Sequence, residues 1–260
     1  MQNLNKAYTL YILQENYMRD HLLDIVKNTY GLGVIDLVKV TGTATDTTIE
    51  ALTEDRSVIV QAKLNNPVPE FVGTFGMPNL GKLNTILNIS EYKDDAKITL
   101  TTKDQNGVTV PSGLHFENKA GDFKNDYRFM SQELIVDKLK SVKMRSVTWN
   151  VEFEPSVANI QRLKFQASAN SEELNFTAKT EGGDLKFYFG DHSSHAGNFV
   201  FQSSVGNGLT KAWSWPVAAV ISILNLAGDK TFRISDEGVA QITVNTGLAT
   251  YDYKLPAQSK

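Results

Sequence analysis

The 260-residue sequence contains no cysteine. Disulfide scaffolds, thiolate metal sites and cysteine nucleophiles are thereby excluded, and the absence fits a reducing compartment. Long apolar runs are missing too. None approaches the roughly 18–20 residues of a membrane-spanning helix, so no integral membrane protein is expected. The opening Met1-Gln2-Asn3-Leu4-Asn5-Lys6 lacks the charged-then-apolar order of a secretory signal, and a cytoplasmic location is expected. Strong charge of either sign is also lacking: 26 Lys and Arg against 29 Asp and Glu leave a net −3. The chain as a whole thus offers no bulk attraction to nucleic acid, and any such contact has to come from a local basic surface. No G-x-x-x-x-G-K-[ST] phosphate loop occurs, and Gly31-Leu32-Gly33 lacks the rest of a dinucleotide fingerprint. Ser203-Ser204 and the scattered carboxylates form no triad or acid pair. No catalytic residue, cofactor or metal is expected.

What is present is a repeated pattern in a chain of ordinary composition, 41% hydrophobic and 21% charged, long enough for two domains. Val147–Phe153 reads as a strand and Pro155–Ala167 as a short amphipathic helix. Strands follow at Leu174–Thr180 and Asp184–Gly190, joined by Glu181-Gly182-Gly183 and completed by Asn198–Ser203. The same order recurs three more times. The first copy has a strand at Tyr8–Leu13 and a helix at Tyr17–Tyr30 stopped by Gly31-Leu32-Gly33. Its further strands are Val34–Val40, Thr47–Leu52 and Ser57–Leu64. In the second, Glu70–Phe75 precedes the helix Asn79–Ile89, with Lys97–Thr102, Val108–Val110, Gly113–Asn118 and Asp126–Met130 as strands, the middle two broken by Pro111. The fourth runs from Lys211–Trp215 through the helix Val217–Ala227, stopped by Gly228, to Lys230–Ser235, Val239–Asn245 and Leu248–Leu255. Short helices among many antiparallel strands give an α+β fold with helices segregated to one side of curved sheets. Residues 1–130 form an N-terminal domain, 131–146 a connector without clean period, and 147–260 a C-terminal domain.

Helical wheels make all four helices one-sided. The second buries Leu80, Leu83, Ile86 and Leu87 opposite Lys82, Thr85 and Asn88. The third buries the arc Val157, Ile160, Leu163 and Ala167 opposite Asn159, Arg162 and Gln166. The outer face of the first carries Asp20, Asp24, Lys27 and Asn28, and that of the fourth, Ala219, Ser222 and Asn225, has no charge. The exposed faces are polar and sparsely cationic.

Three stretches carry a resemblance. Phe71-Val72-Gly73-Thr74-Phe75-Gly76-Met77-Pro78-Asn79-Leu80-Gly81-Lys82-Leu83 is a strand entering the second helix. Val151-Glu152-Phe153-Glu154-Pro155 leads into the third, and Ala249-Thr250-Tyr251-Asp252-Tyr253-Lys254-Leu255-Pro256 is a last strand running into a proline-containing tail. With the fourfold repeat, the chain resembles the DNA sliding clamps of the proliferating cell nuclear antigen type, and more closely the clamps of T-even-like tailed phages. The resemblance implies a clamp fold of two similar domains, each of two strand-helix-strand-strand units, with helices on an inner face and antiparallel sheets outside. It implies a homotrimeric ring that encircles double-stranded DNA without sequence specificity and acts as a DNA polymerase processivity factor in DNA replication. Such a protein is not an enzyme. If phage-encoded, it works in the host cell cytoplasm. By position, the implied DNA contacts are Lys27, Lys82, Arg162, Lys164 and Gln166, Lys164 lying near the apolar arc. DNA polymerase and clamp loader would dock short apolar peptides on Ile135, Leu139, Val142 and Met144 of the connector and on Tyr253, Leu255 and Pro256 of the tail. Packing of a linker on its own domain is the alternative for each connector residue. The family usually has several basic residues on its first and fourth helices, which here carry few or none.

Two other functions fit the same pattern: a non-ring processivity subunit of this fold that binds DNA on a basic face, and a structural or virion assembly protein. Asp191-His192-Ser193-Ser194-His195 brings two histidines together in a polar loop without a third ligand, and Trp149, Trp213 and Trp215 read as packing residues.

Overall fold

In the computed structural model, which describes residues 17–93, 96–105, 107–142, 145–191 and 195–258, each repeat is a helix followed by a meander of three strands. The chain divides into two compact units, Met1–Ala51 with Gln61–Ser141 and Leu52–Val60 with Val142–Lys260. The strand expected at Tyr8–Leu13 lies outside the described residues.

In the first unit, α1 (17–28) ends where Thr29 folds its hydroxyl back onto the Ile25 carbonyl, 2.6 Å away. A 3-10 turn, Tyr30–Leu32, follows, and Gly33 at φ 80° supplies the left-handed residue that closes it. Strands β1 (Leu37–Gly42), β2 (Thr47–Leu52) and β3 (Ile59–Leu64) come next, then β4 (Gly73–Pro78) and α2 (Leu80–Leu87). β4 pairs not with the strands after it but with β1, antiparallel, with Val40 opposite Phe75, giving the order β4-β1-β2-β3. All four residues of the α2 stripe are buried, as its spacing requires. Asp36 holds the start of this helix, its carbonyl and carboxylate accepting from the Leu80 and Gly81 amides at 3.3 and 3.1 Å. The second meander is β5 (Lys97–Gln105), β6 (Val108–Glu117) and β7 (Lys124–Arg128), in that spatial order.

One expectation is corrected here. Pro111 does not split β6: the ladder steps past it with a bulge opposite Thr101/Thr102, where a residue without an N–H is tolerated. The connector, which has no clean period, holds a short helix, α3 (Gln132–Lys138). Its Ile135 side chain is buried on Gly76 of β4, so close that a Cβ there would lie 2.9 Å from it. A seven-residue helix with one inward residue shows no period.

In the second unit, β8 (Val151–Phe153) leads to α4 (Val157–Ala169) and the meander β9 (Asn175–Glu181), β10 (Asp184–Phe189) and β11 (Gly197–Gln202). Then come β12 (Trp213–Pro216), α5 (Val217–Leu224) and the meander β13 (Asp229–Ser235), β14 (Val239–Asn245) and β15 (Ala249–Pro256). The leading strands again change places. β8 joins β13 and β12 joins β9, giving the orders β15-β14-β13-β8 and β11-β10-β9-β12. Within this unit, each repeat's sheet thus takes in the leading strand of the other repeat. The core is aromatic: Phe176, Phe187, Phe189, Phe201, Phe232 and Trp215 are fully buried, with Phe187 stacked on Phe201 at 4.4 Å. Burial of each such side chain contributes roughly 1.5–3 kcal/mol.

Candidate nucleic-acid interface

The helices carry the implied contacts, so their orientation decides which side chains are available. In the first unit, Lys27 on α1 and Lys82 on α2 are exposed, with no ion-pair partner among the described residues. Asn28, expected beside Lys27 on the outer face, is instead buried, with its side chain turned back to the Asp24 carbonyl at 2.9 Å. A cation absent from the sequence reading sits beneath this surface. Arg19 of α1 donates to the Leu87 carbonyl at 2.9 Å, placing positive charge on the C-terminal end of α2 and tying the two helices together. No helical period distinguishes such an Arg from a solvated one.

α4 is rotated from its expected position. Only Leu163 is fully buried, and Val157, placed in the inward arc by spacing, is 85% exposed. Polar contacts set the rotation. Asn159 donates to Gln202 of β11 at 3.4 Å, and Asn170 to Gln166 Oε1 at 3.1 Å. Both Gln166 and Asn170 press on Gly197, where a Cβ would lie 2.6 Å from Gln166 Oε1. Gln166 is therefore a packing residue on the edge of β11 rather than a free amide. Arg162 is exposed, but its guanidinium carbon lies 5.3 Å from the ring centre of Phe199 on β11, a cation–π contact. Lys164 is half-buried. α5 exposes no charge.

The seven partner-contact residues divide. Ile135 and Leu139 are buried in the first unit, and Tyr253 and Leu255 are buried in β15, where the Leu255 carbonyl accepts from Trp215 Nε1 at 2.9 Å. These four offer no surface of their own. Val142 and Pro256 are half-exposed, and Met144 lies outside the described residues. On α3 the exposed apolar side chains are Ile135's neighbours, Leu134 and Val136, which are 60% and 49% exposed.

The paired charges lie elsewhere. Lys39 on β1, 6% exposed, pairs with Glu50 and donates to Ser141 Oγ, holding the end of the connector on the first unit. On β9 and β10, the Lys179 ammonium, the Tyr188 hydroxyl and the Lys186 ammonium surround Glu181 and hold its carboxyl down to about 2. Burial first, and the hydrogen bond to Glu181 next, push the Tyr188 phenol up to about 12. His21 of α1 is 1% exposed, edge-on to Tyr17 at 4.3 Å, with no hydrogen-bond partner on either ring nitrogen among the described residues. Desolvation holds its pKa below the ordinary value, against the opposing pull of Asp24 and Asp20. Trp215 is a packing residue, and Trp213 is half-buried against Gly238. Among the described residues, no group of three or more His, Cys, Asp or Glu side chains is arranged to hold a metal ion, and His192, Ser193 and Ser194 lie outside them. No helix of the described residues is long and apolar enough to cross a membrane.

No family profile and no curated protein matches the sequence. Solved structures do match in three dimensions. One is the C-terminal region of FEN-1 bound to A. fulgidus PCNA, with a TM-score of 0.63 and 11% identity, covering 93% of this chain and 96% of that one. Another is PCNA from Thermococcus kodakaraensis, with a TM-score of 0.64 and 11% identity, covering 92% and 97%. At such identity the likeness is one of fold. The chain has the α+β fold of the PCNA clamps, with antiparallel sheets, few helices and two similar domains.

Proposed function

We infer that the protein is a DNA sliding clamp, a homotrimeric ring of the kind found in T-even-like phages, which encircles duplex DNA and tethers DNA polymerase during replication without catalysis. The observation that supports this most is the likeness in fold to PCNA clamps along more than nine-tenths of the chain. The sheet edges support the ring. Among the described residues, β7 and β11 each end a sheet and are of similar length, five and six residues. Pairing β7 of one copy with β11 of the next is a head-to-tail contact, which avoids a filament only by closing into a ring, and closure covers these two edges. The domain limits 1–130, 131–146 and 147–260 belong to the same reading.

Within the ring, Lys27 and Lys82 meet phosphates transiently, giving sequence-independent and salt-sensitive contact. The small number of free cations suits a topological tether, since an encircled duplex needs no tight binding. One of the similar PCNA structures holds a C-terminal region of FEN-1. Polymerase and clamp loader are proposed to dock short apolar peptides here too, on α3 of the connector, where Leu134 and Val136 are exposed.

Mass in solution tests the ring: a species near three times 28.8 kDa is expected, and a strict monomer over a wide concentration range overturns it. Retention on nicked circular DNA tests the tether. Linearising the circle must release the protein, and protein that stays bound marks a basic-face binder. A large assembly without effect on polymerase marks a structural protein.

A further inference from the structure

The chain holds two Asn-Gly steps, Asn106-Gly107 and Asn207-Gly208. At such a step no side chain of the following residue crowds the approach of its backbone nitrogen to the asparagine side chain. The reaction this permits is intramolecular. The glycine nitrogen gives up its proton to solvent base and attacks Cγ, an N–Cγ bond forms, and Nδ2 leaves as ammonia. Water then opens the cyclic imide at either carbonyl, leaving an aspartate or an isoaspartate. Water is consumed, ammonia is released, and nothing is oxidised or reduced.

Three groups decide whether a folded Asn-Gly step reacts: the attacking amide, the side-chain carbonyl and the departing amine. Asn207 is exposed in the loop 203–210 that follows β11. The Gly208 amide makes no hydrogen bond among the described residues and is free to attack. Asn207 Oδ1 accepts from the Gly183 amide at 2.9 Å. That N–H points at the oxygen on which negative charge develops when Cγ is attacked, and a donor fixed there stabilises the transition state. Nδ2 has no partner among the described residues. The fold also holds the glycine in place, since a Cβ on Gly208 would lie 2.3 Å from the Asn150 carbonyl oxygen. At the other step the attacking group is engaged: the Gly107 amide donates to Asp104 Oδ1 at 3.1 Å. Asn106 itself lies outside the described residues.

We propose that Asn207 is a site of spontaneous deamidation in the folded protein, favoured over Asn106 by its free amide and polarised carbonyl. The site stands apart from the ring reading and does not depend on it. Its loop clamps the β9–β10 turn at both ends. Val205 and Gly206 donate to the Gly183 carbonyl at 2.9 and 3.1 Å, and Leu209 exchanges two hydrogen bonds with the Thr180 hydroxyl, each 3.1 Å. An aspartate at position 207 still accepts from Gly183. An isoaspartate adds a methylene to the main chain between the two clamps, so one of them must open.

The test is peptide mapping by mass spectrometry on the intact chain aged at mildly alkaline pH, native and in guanidinium chloride, with amide-to-acid conversion counted at each Asn-Gly step. The ratio of conversion at position 207 to that at 106 is expected to rise several-fold on folding. A ratio that is unchanged or lower in the native protein overturns the proposal. Asp104→Ala, at an exposed position, releases the Gly107 amide and is expected to raise native conversion at 106 several-fold. No change there overturns the free amide as a deciding group. Asn207→Asp is expected to keep the urea midpoint of the parent, and aged protein enriched in isoaspartate to unfold at lower urea. Equal midpoints for the two overturn the clamp.

Discussion

Replacing Leu163 with Ala tests the orientation of α4, on which the assignment of every cation on that helix depends. Leu163 is the one fully buried residue of the helix. The substitution removes three carbons, worth about 0.8 kcal/mol each in transfer free energy. The cavity left between helix and β11 adds to this, bringing the expected loss to about 3 kcal/mol. Val157→Ala removes two carbons from a side chain that is 85% exposed, and its expected cost is within about 0.5 kcal/mol. Urea unfolding followed by circular dichroism measures both, at one protein concentration, because assembly shifts the midpoint by mass action. If Val157→Ala costs more than Leu163→Ala, α4 packs through the arc that spacing alone selects. Arg162 would then point away from Phe199 and β11, and α4 would not be rotated.

Three further outcomes follow from buried charge and free cations. His21 is held neutral by burial, so its contribution to stability is complete above the unfolded-state pKa of about 6.5 and is lost as pH falls toward the lower folded value, at about 1.4 kcal/mol per pH unit. His21→Phe is expected to flatten that part of the stability–pH curve, and an unchanged slope refutes the assignment. Glu50→Ala leaves the Lys39 ammonium buried without its carboxylate and is expected to cost about 3–5 kcal/mol, clearly more than Lys39→Met in the same denaturation assay. Lys27→Ala and Lys82→Ala are each expected to reduce the slope of log K against log salt for duplex DNA by about 1, without changing the mass of the assembly.

The reading from sequence reached furthest where a single period governs an element. The α2 stripe and the bounds of β2 and β14 follow directly from apolar spacing and turn residues. It fell short where a few polar contacts decide. α4 has a weak apolar stripe, and the hydrogen bond of Asn159 to Gln202 together with the packing of Gln166 and Asn170 on Gly197 turns the helix toward β11, contacts that no hydropathy pattern records. α3 was unreadable because its single inward residue, Ile135, finds its place only in the gap above Gly76, far away in sequence. Among the site residues, Lys27 and Lys82 stand where spacing puts them. Arg162 and Gln166 are drawn to β11 by Phe199 and Gly197, partners that the helix by itself does not reveal.

By itself the sequence determined the repeat: local signals, a helix stop at Gly33 or Gly228 and alternating strands after it, specify helix-then-meander wherever they recur. Only the tertiary structure decided that the leading strands change places, β4 to β1, β8 to β13 and β12 to β9. Strand pairing is a contest among edges of similar hydrogen-bonding capacity, and side-chain packing against cross-strand and same-face neighbours decides it. That contest is settled between segments remote in the chain, which is why it leaves no mark in any local stretch of residues.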